Sequence, residues 1–233
     1  MKTSIKLLLG LALCLVIAMF GAAISLRSQY DKLDKSDKYA RWQKKPLPAF
    51  QAVQITGPSS VLVQIEPGAT TRLLADSLGQ WTKPPYTYKV ERDTLYIQLN
   101  AADGEELDIK DEDDKWHRSE IVVQLPSLVA VSTSGARCQI RDFRGDVLSM
   151  QQGGKGGNTS LQNLTYNQLN ASLSGHNQLT LYGTSNNINK AAITARDSSR
   201  LFQYTDFKQS LTLTADPTAK IRLTGKAVQQ IQQ

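Results

Sequence analysis

Imidazole and thiol chemistry rests on very few groups: two histidines, His117 and His176, and two cysteines, Cys14 and Cys138. A structural zinc site takes four such ligands at recurring spacings, and these four residues are scattered, with Cys14 inside an apolar N-terminal run. No nucleophile-elbow motif accompanies any serine, so nothing marks a Ser-His-Asp arrangement beyond the general fact that its members need not be adjacent. The glycine-rich stretch Gly153-Gly154-Lys155-Gly156-Gly157-Asn158-Thr159 lacks the Ser or Thr that must follow the lysine of a phosphate loop. It also holds Asn158 where a calcium nonapeptide needs aspartate, and it does not recur in tandem. The acidic run Asp103, Glu105, Glu106, Asp108, Asp111, Glu112, Asp113, Asp114 offers hard oxygen ligands for Ca²⁺. Its spacing is not that of an EF-hand, and Lys110 and Lys115 lie inside it, so a solvated loop is expected. No catalytic residue, metal ligand or cofactor follows from these residue types, and an enzyme is not expected.

Binding chemistry has more to work with. Tyr182, Phe202, Tyr204 and Phe207 concentrate aromatic rings near the C-terminus, where they suit sugar rings, another protein or the capping of a stack. Serine, threonine, asparagine and glutamine fill many outward positions of the strands described below. Asn158, Asn163 and Asn170 each begin an Asn-x-Ser/Thr sequence and read as polar corner and strand residues. The formal charge of +6 comes from 27 basic against 21 acidic residues, with much of the excess before residue 46. No basic stripe interleaved with aromatics stands out, so a nucleic-acid partner is not expected.

The elements that would carry these residues are strands. From Phe50 onward the apolar period is two, as in Val61-x-Val63-x-Ile65, which marks half-buried strands. One unit then recurs about every 20 residues: a strand, a tight corner holding Gly or Asp, and a second strand. It appears at Val129-x-Val131 with Ser134-Gly135, at Leu169-x-Ala171 with Ser174-Gly175, at Ile193-x-Ala195 with Asp197, and at Leu211-x-Leu213 with Asp216-Pro217. Gly takes the left-handed conformation of such corners freely, and Asp or Asn less so. A fixed period with short strands predicts an all-β, single-domain parallel (right-handed) β-helix or solenoid over 50–233, with coils of about 20 residues. An antiparallel sandwich is the rival, because alternation alone does not distinguish the two. Residues 76–120 interrupt the pattern with a strand pair and the acidic insertion.

Ahead of the strands, Leu7–Leu26 runs for twenty residues without a charge, flanked by Lys2, Lys6 and Arg27. About 20 apolar residues at 1.5 Å each match a hydrocarbon core of about 30 Å, so 1–26 is expected to be a signal anchor and transmembrane helix. Residues 27–49 read as a charged stalk. Asp31 with Lys35, Asp34 with Lys38 and Asp37 with Arg41 stand at i,i+4 in the order that favours a helix, and Pro46 and Pro48 end any helix there. The basic residues after the span argue for a cytoplasmic domain by the positive-inside rule, whereas the opening of the segment resembles an export signal.

The series Phe50-Gln51-Ala52-Val53-Gln54-Ile55-Thr56-Gly57, Val61-Leu62-Val63-Gln64-Ile65-Glu66-Pro67-Gly68, Thr94-Leu95-Tyr96-Ile97, Leu125-Pro126-Ser127-Leu128 and the corners Ser134-Gly135 and Ser174-Gly175 resembles the head GIN domain family. Its members are also described as auto-transporter adhesin domains of unknown function, and the resemblance spans about residues 50–227. It implies an extracytoplasmic β-helical domain without catalytic residues. Asp197 and Asp216, where the corner glycine belongs, and the acidic insertion are departures from it. Together these features lead to the expectation of a membrane-anchored, extracytoplasmic binding, adhesion or scaffold domain of a bacterial cell envelope. Its partners would be the membrane, through Leu7–Leu26, and an envelope glycan or protein. The alternatives are a β-helical enzyme acting on polysaccharide and a docking subunit of an envelope complex.

Overall fold

The structure, a computed structural model, describes residues 2–31, 37–40, 42–58, 61–75, 86–100, 121–183, 185–229 and 231–232. It divides into two compact units, Met1–Trp42 and Gln43–Gln233. The first holds one helix of 30 residues, α1 (Lys2–Asp31), in which Leu, Ala and Met favour helix and charges are confined to the ends. Its described large apolar side chains are all exposed, from Val16 at 48% to Met19 at 71%. Among the described residues no helix is long and apolar enough to cross a membrane. The side chains of residues 2–9 and 12 lie outside those described, so the expected span over Leu7–Leu26 is not shown by the structure. After the helix, Trp42 meets Tyr39 edge-on at 5.1 Å between ring centroids. Each of the three expected stalk pairs has a member outside the described residues.

The second unit is built of strands: β1 (Gln43–Pro46), β2 (Ala52–Thr56), β3 (Leu62–Pro67), β4 (Arg72–Ala75), β5 (Tyr86–Glu91), β6 (Thr94–Leu99), β7 (Ile121–Leu125), β8 (Ala130–Ser134), β9 (Arg137–Arg141), β10 (Arg144–Gly153), β11 (Asn158–Gln162), β12 (Thr165–Leu173), β13 (Gln178–Leu181), β14 (Asn187–Ala195), β15 (Arg200–Gln203), β16 (Ser210–Ala215), β17 (Lys220–Arg222) and β18 (Ile231–Gln232). They form two mixed nine-stranded sheets. One runs β1-β4-β7-β3-β9-β11-β13-β15-β17, the other β18-β16-β14-β12-β10-β8-β2-β6-β5. From β8 onward successive strands alternate between the sheets and pair in parallel with strands 19 to 22 residues away, as Ser149 does with Ala130 and Asn170, and Asn170 with Ala192. The pairing between repeats is therefore parallel, not the antiparallel pairing of the rival sandwich.

The repeats do not stack in simple chain order at the start. β2 pairs with both β6 and β8, and β3 with both β7 and β9. The β2–β3 repeat thus lies between β6–β7 and β8–β9, and β7, which opens at Ile121, sits beyond it. Antiparallel strands finish that end, β4 and β1 on one sheet and β5 on the other. The strand β1 falls inside the range expected to be stalk. It carries Lys44, Lys45 and Pro46 on an open sheet edge, where charge and proline discourage further pairing.

One apolar core is shared by both sheets. Val53, Val131, Ala171 and Ile193 point into it from the second sheet, and Val63, Cys138, Leu179 and Leu201 from the first. Cys138 is 1% exposed, and burial pushes its thiol pKa far up, which makes it a small core hydrophobe. Tyr166 fills the space left by Gly145, where a Cβ would come within 2.6 Å of the ring, and its hydroxyl donates to the Leu128 carbonyl at 2.8 Å.

The corners between the sheets explain the glycines. Gly135, Gly154, Gly175 and Asp197 occupy the same place in successive repeats, with φ of 71°, 73°, 73° and 53°. A Cβ on Gly175 would lie 2.0 Å from the Gly154 carbonyl oxygen. Asp216 is one position short of this place and does something different. Its carboxylate accepts from the backbone N–H groups of Asp197 (2.7 Å), Thr218 (2.8 Å) and Ala219 (3.0 Å), and from the Thr218 hydroxyl (2.8 Å). The hydrogen bond from Asp197 leads the causes that hold its pKa below the usual aspartate value.

Two outcomes follow. Gly175→Ala, strained in φ and clashing with backbone, should cost about 2 kcal/mol or more, while Asp197→Gly at the equivalent corner should be neutral or stabilising. Urea unfolding of both variants checks this, and equal effects would contradict it. Because the Asp216 pKa is lowered in the fold, its contribution is full above the unfolded value near 3.9 and fades as pH falls through the folded one. Thermal melts from pH 6 to pH 2.5 should therefore show a shallower acid loss in Asp216→Asn than in the unaltered protein.

Candidate functional site

Strand alternation sends every second residue of β6, β2, β8, β10, β12 and β14 outward, and parallel in-register pairing lines these residues up across the sheet. One row reads Tyr96, Gln54, Ser132, Gln151, Ser172, Thr194. The row beside it reads Thr94, Ala52, Ala130, Ser149, Asn170, Ala192. These rows line a groove of ≈ 610 Å³. Six strands at about 4.8 Å give it a length of about 24 Å, perpendicular to the strands. Its lining holds hydroxyls, amides, small apolar groups and one phenol, and no charged side chain.

At the β6 end, the Lys89 ammonium stands 5.4 Å from the Tyr96 ring centroid and donates to Glu91 at 2.7 Å, which raises its pKa. Lys45, from the edge of the other sheet, stands 5.8 Å and 5.5 Å from the ring centroids of Tyr86 and Tyr88, so a cation links the two sheets at this end. Beside the groove, β10, β12 and β14 carry a ladder of polar side chains. Asn167 donates to Asp146 at 2.6 Å and Asn189 to Asn167 at 2.9 Å.

The aromatic residues singled out in the sequence separate. Tyr182, Phe202 and Tyr204 lie together on the outer face of the other sheet. Tyr182 and Tyr204 extend the ladder beyond β13 and β15, their N–H groups donating to Leu161 and Leu181 at 3.0 Å each. Phe207 does not join them; it is 2% exposed and packs in the core, on the inward parity it shares with Leu201, Gln203 and Thr205. His176 is an exposed corner residue with φ 63°. The acidic segment and His117 lie outside the described residues. Among the described residues no group of three or more His, Cys, Asp or Glu side chains could hold a metal ion.

Two asparagines that composition does not mark hold the corners. Asn177 is buried; its Oδ1 accepts from Gly157 N–H at 2.7 Å, and its amide nitrogen donates to the carbonyls of Gly154 (3.1 Å) and Ser174. A Cβ on Gly157 would come within 2.5 Å of that Oδ1. Asn186 likewise accepts from Leu164 N–H at 2.8 Å and donates to the Tyr182 carbonyl at 2.9 Å. Each satisfies backbone groups that the turn takes out of the ladder. Their signal in the sequence is position alone, just before β13 and just before β14.

No family model matches the chain, and no curated protein matches it. Among solved structures the chain is similar to a candidate adhesin from Bacteroides fragilis, at 15% identity over 77% of this chain and 90% of that one, with a TM-score of 0.50. It is also similar to a candidate lipid-binding protein from Parabacteroides distasonis (11% identity, 78% of this chain, 91% of that one, TM-score 0.44). At 15% identity the first likeness bears on the fold alone.

Truncating the corner amide by Asn177→Ala leaves Gly157 N–H and its carbonyl partners buried without a bond, at an expected cost of about 1–3 kcal/mol. Denaturant unfolding reads it, and an unchanged midpoint would contradict the role given to Asn177.

Proposed function

We propose that the chain is a non-catalytic binding module whose second-sheet groove holds an extended, neutral glycan laid across the strands. The observation that carries this reading is the pair of in-register rows, Tyr96 to Thr194 and Thr94 to Ala192, which repeat hydroxyl and amide groups at each strand and contain no charge. Polysaccharides present hydroxyls at regular intervals, and neutral donors and acceptors match them at little desolvation cost. Tyr96 supplies a ring face at one end. Glycoside hydrolysis uses a pair of carboxyl groups, and the groove lining has none.

In the same reading the parallel repeats wind as a right-handed β-solenoid of the head GIN type. The candidate adhesin with which the chain shares its fold is compatible with a role in adhesion. The exposed apolar surface of α1 supports anchoring in a membrane, with the β unit on the outer side, in a bacterial envelope.

The full-length protein, kept in a neutral detergent, should be retarded in gels containing a neutral polysaccharide such as dextran, xylan or glucomannan. Ala192→Trp, which fills the groove at an exposed position, should abolish the retardation without lowering the thermal midpoint. Retardation by none of these polymers, or equal retardation of the variant, would remove the groove reading. For location, a phosphatase active only outside the cytoplasm, fused after Gln233, should be active in membrane fractions; a well-expressed but silent fusion would place the β unit inside.

A further inference from the structure

The outer face of the first sheet is chemically unlike the groove. Its strands β9, β11, β13, β15 and β17 also align in register, so their outward residues form rows. One row reads Arg137, Asn158, Gln178, Arg200, Lys220, and the next Gln139, Ser160, Thr180, Phe202, Arg222, of which Ser160 and Thr180 are buried. A third begins Arg141, Gln162 and continues, past the strand ends, to Tyr182 and Tyr204. No carboxylate stands in these rows. Arg200, Lys220 and Arg222 are exposed, and among the described residues none of the three has an acidic partner within ion-pair distance. The Arg222 guanidinium lies 5.7 Å from the centroid of Tyr204, which is 38% exposed.

The same face is indented. Arg141, Gln162 and Tyr182 line a pocket of ≈ 390 Å³ together with the corner residues Asp142, Asn163 and Ser185. Arg141 donates to Asp142 at 2.7 Å, and Asn163 donates to Asp142 at 2.5 Å, so the polar groups of this pocket are held in place.

We propose that this face binds an acidic polysaccharide, with its carboxylate groups at Arg200, Lys220 and Arg222 and a sugar ring seated in the pocket against Tyr182. Charge complementarity selects an anionic occupant, and the rings of Tyr182, Phe202 and Tyr204 select one with flat apolar faces. The neutral strands β11 and β13 between the cations select a glycan over a nucleic acid. Asn158 and Gln178 put two neutral strands between Arg137 and Arg200, which stand three strand spacings, about 14 Å, apart. A nucleic acid carries a phosphate on every nucleotide, and along these rows β11 and β13 present no cation to meet one. A sugar acid chain with hydroxyls between its charges is matched by the amides of Asn158 and Gln178, which stand between Arg137 and Arg200. This site stands on a different sheet from the groove and does not depend on it.

The test is affinity electrophoresis and titration calorimetry of the full-length protein in neutral detergent. The probes are polygalacturonate, neutral dextran, a single-stranded oligothymidylate, and vesicles of equal parts phosphatidylglycerol and phosphatidylcholine. Polygalacturonate should bind, weaken with added salt, and lose about tenfold in affinity in Arg200→Gln/Arg222→Gln, two exposed charge contacts of modest strength. Phe202→Ala should weaken it further, Tyr204→Phe should retain it, and Ala192→Trp in the groove should leave it unchanged. No binding of polygalacturonate, or equal binding by the arginine variant at an unchanged melting temperature, would overturn the proposal. Binding of the oligonucleotide or the vesicles in place of polygalacturonate would also overturn it and assign the face to that class. Should the double variant melt early, Lys220→Gln alone takes its place in the comparison.

Discussion

At the corner between the two sheets, successive repeats approach until only a hydrogen atom fits between them. The Cβ site of Gly175 lies 2.0 Å from the Gly154 carbonyl oxygen, and that of Gly154 lies 2.9 Å from the Gly135 nitrogen. Because each of these residues turns with positive φ at the same place, each repeat leaves one sheet and enters the other at the same place. That shared turning point fixes the parallel register, and the register sorts side chains into rows. Inward rows become a common core, and outward rows become surfaces of uniform chemistry. The binding properties proposed for the two faces are thus consequences of a backbone contact in which no functional side chain takes part.

Polar residues finish what the glycines begin. A tight corner removes backbone groups from the ladder, and a buried amide or carbonyl without a partner costs a substantial fraction of a domain's stability. Asn177 and Asn186 supply those partners from within the stack, and Asp216 does so at the exposed end. The two ends are finished by other means. Lysine and proline on β1, the Lys45 contacts to Tyr86 and Tyr88, and the charged β17 all oppose continued growth of a sheet whose repeats would otherwise accept another strand.

Much of this was legible in the sequence because period and burial are local. The alternation of Val61-x-Val63-x-Ile65 and the recurrence of Ser134-Gly135 and Ser174-Gly175 located strands and corners. The placement of β2–β3 between β6–β7 and β8–β9 was not legible, since alternation says which face a residue takes and nothing about which strand lies beside it. Phe207 misled because aromatic clustering was counted along the chain without regard to parity, which puts it on the buried side with Leu201, Gln203 and Thr205 and opposite Phe202 and Tyr204. Asp216 resembled a corner residue only until the register showed Pro217 opposite Asp197. The row of Arg200, Lys220 and Arg222 is invisible in a local window, because its members come together only when positions about 20 residues apart are aligned.

In-register parallel stacking is the claim on which both surfaces rest, and a pair of engineered cysteines tests it directly in a Cys14→Ser background. Gln151 and Ser172 are register partners, so their α-carbons stand about 4.8 Å apart, within the range a disulfide spans. Thr194, the partner of Ser172, is about 9.6 Å from Gln151 and beyond that range. Mild oxidation of the monomer should bridge Gln151→Cys/Ser172→Cys and leave both thiols free in Gln151→Cys/Thr194→Cys. Bridging of the second pair in preference to the first, or of neither, would contradict the register and with it the rows that form the groove and the cationic face.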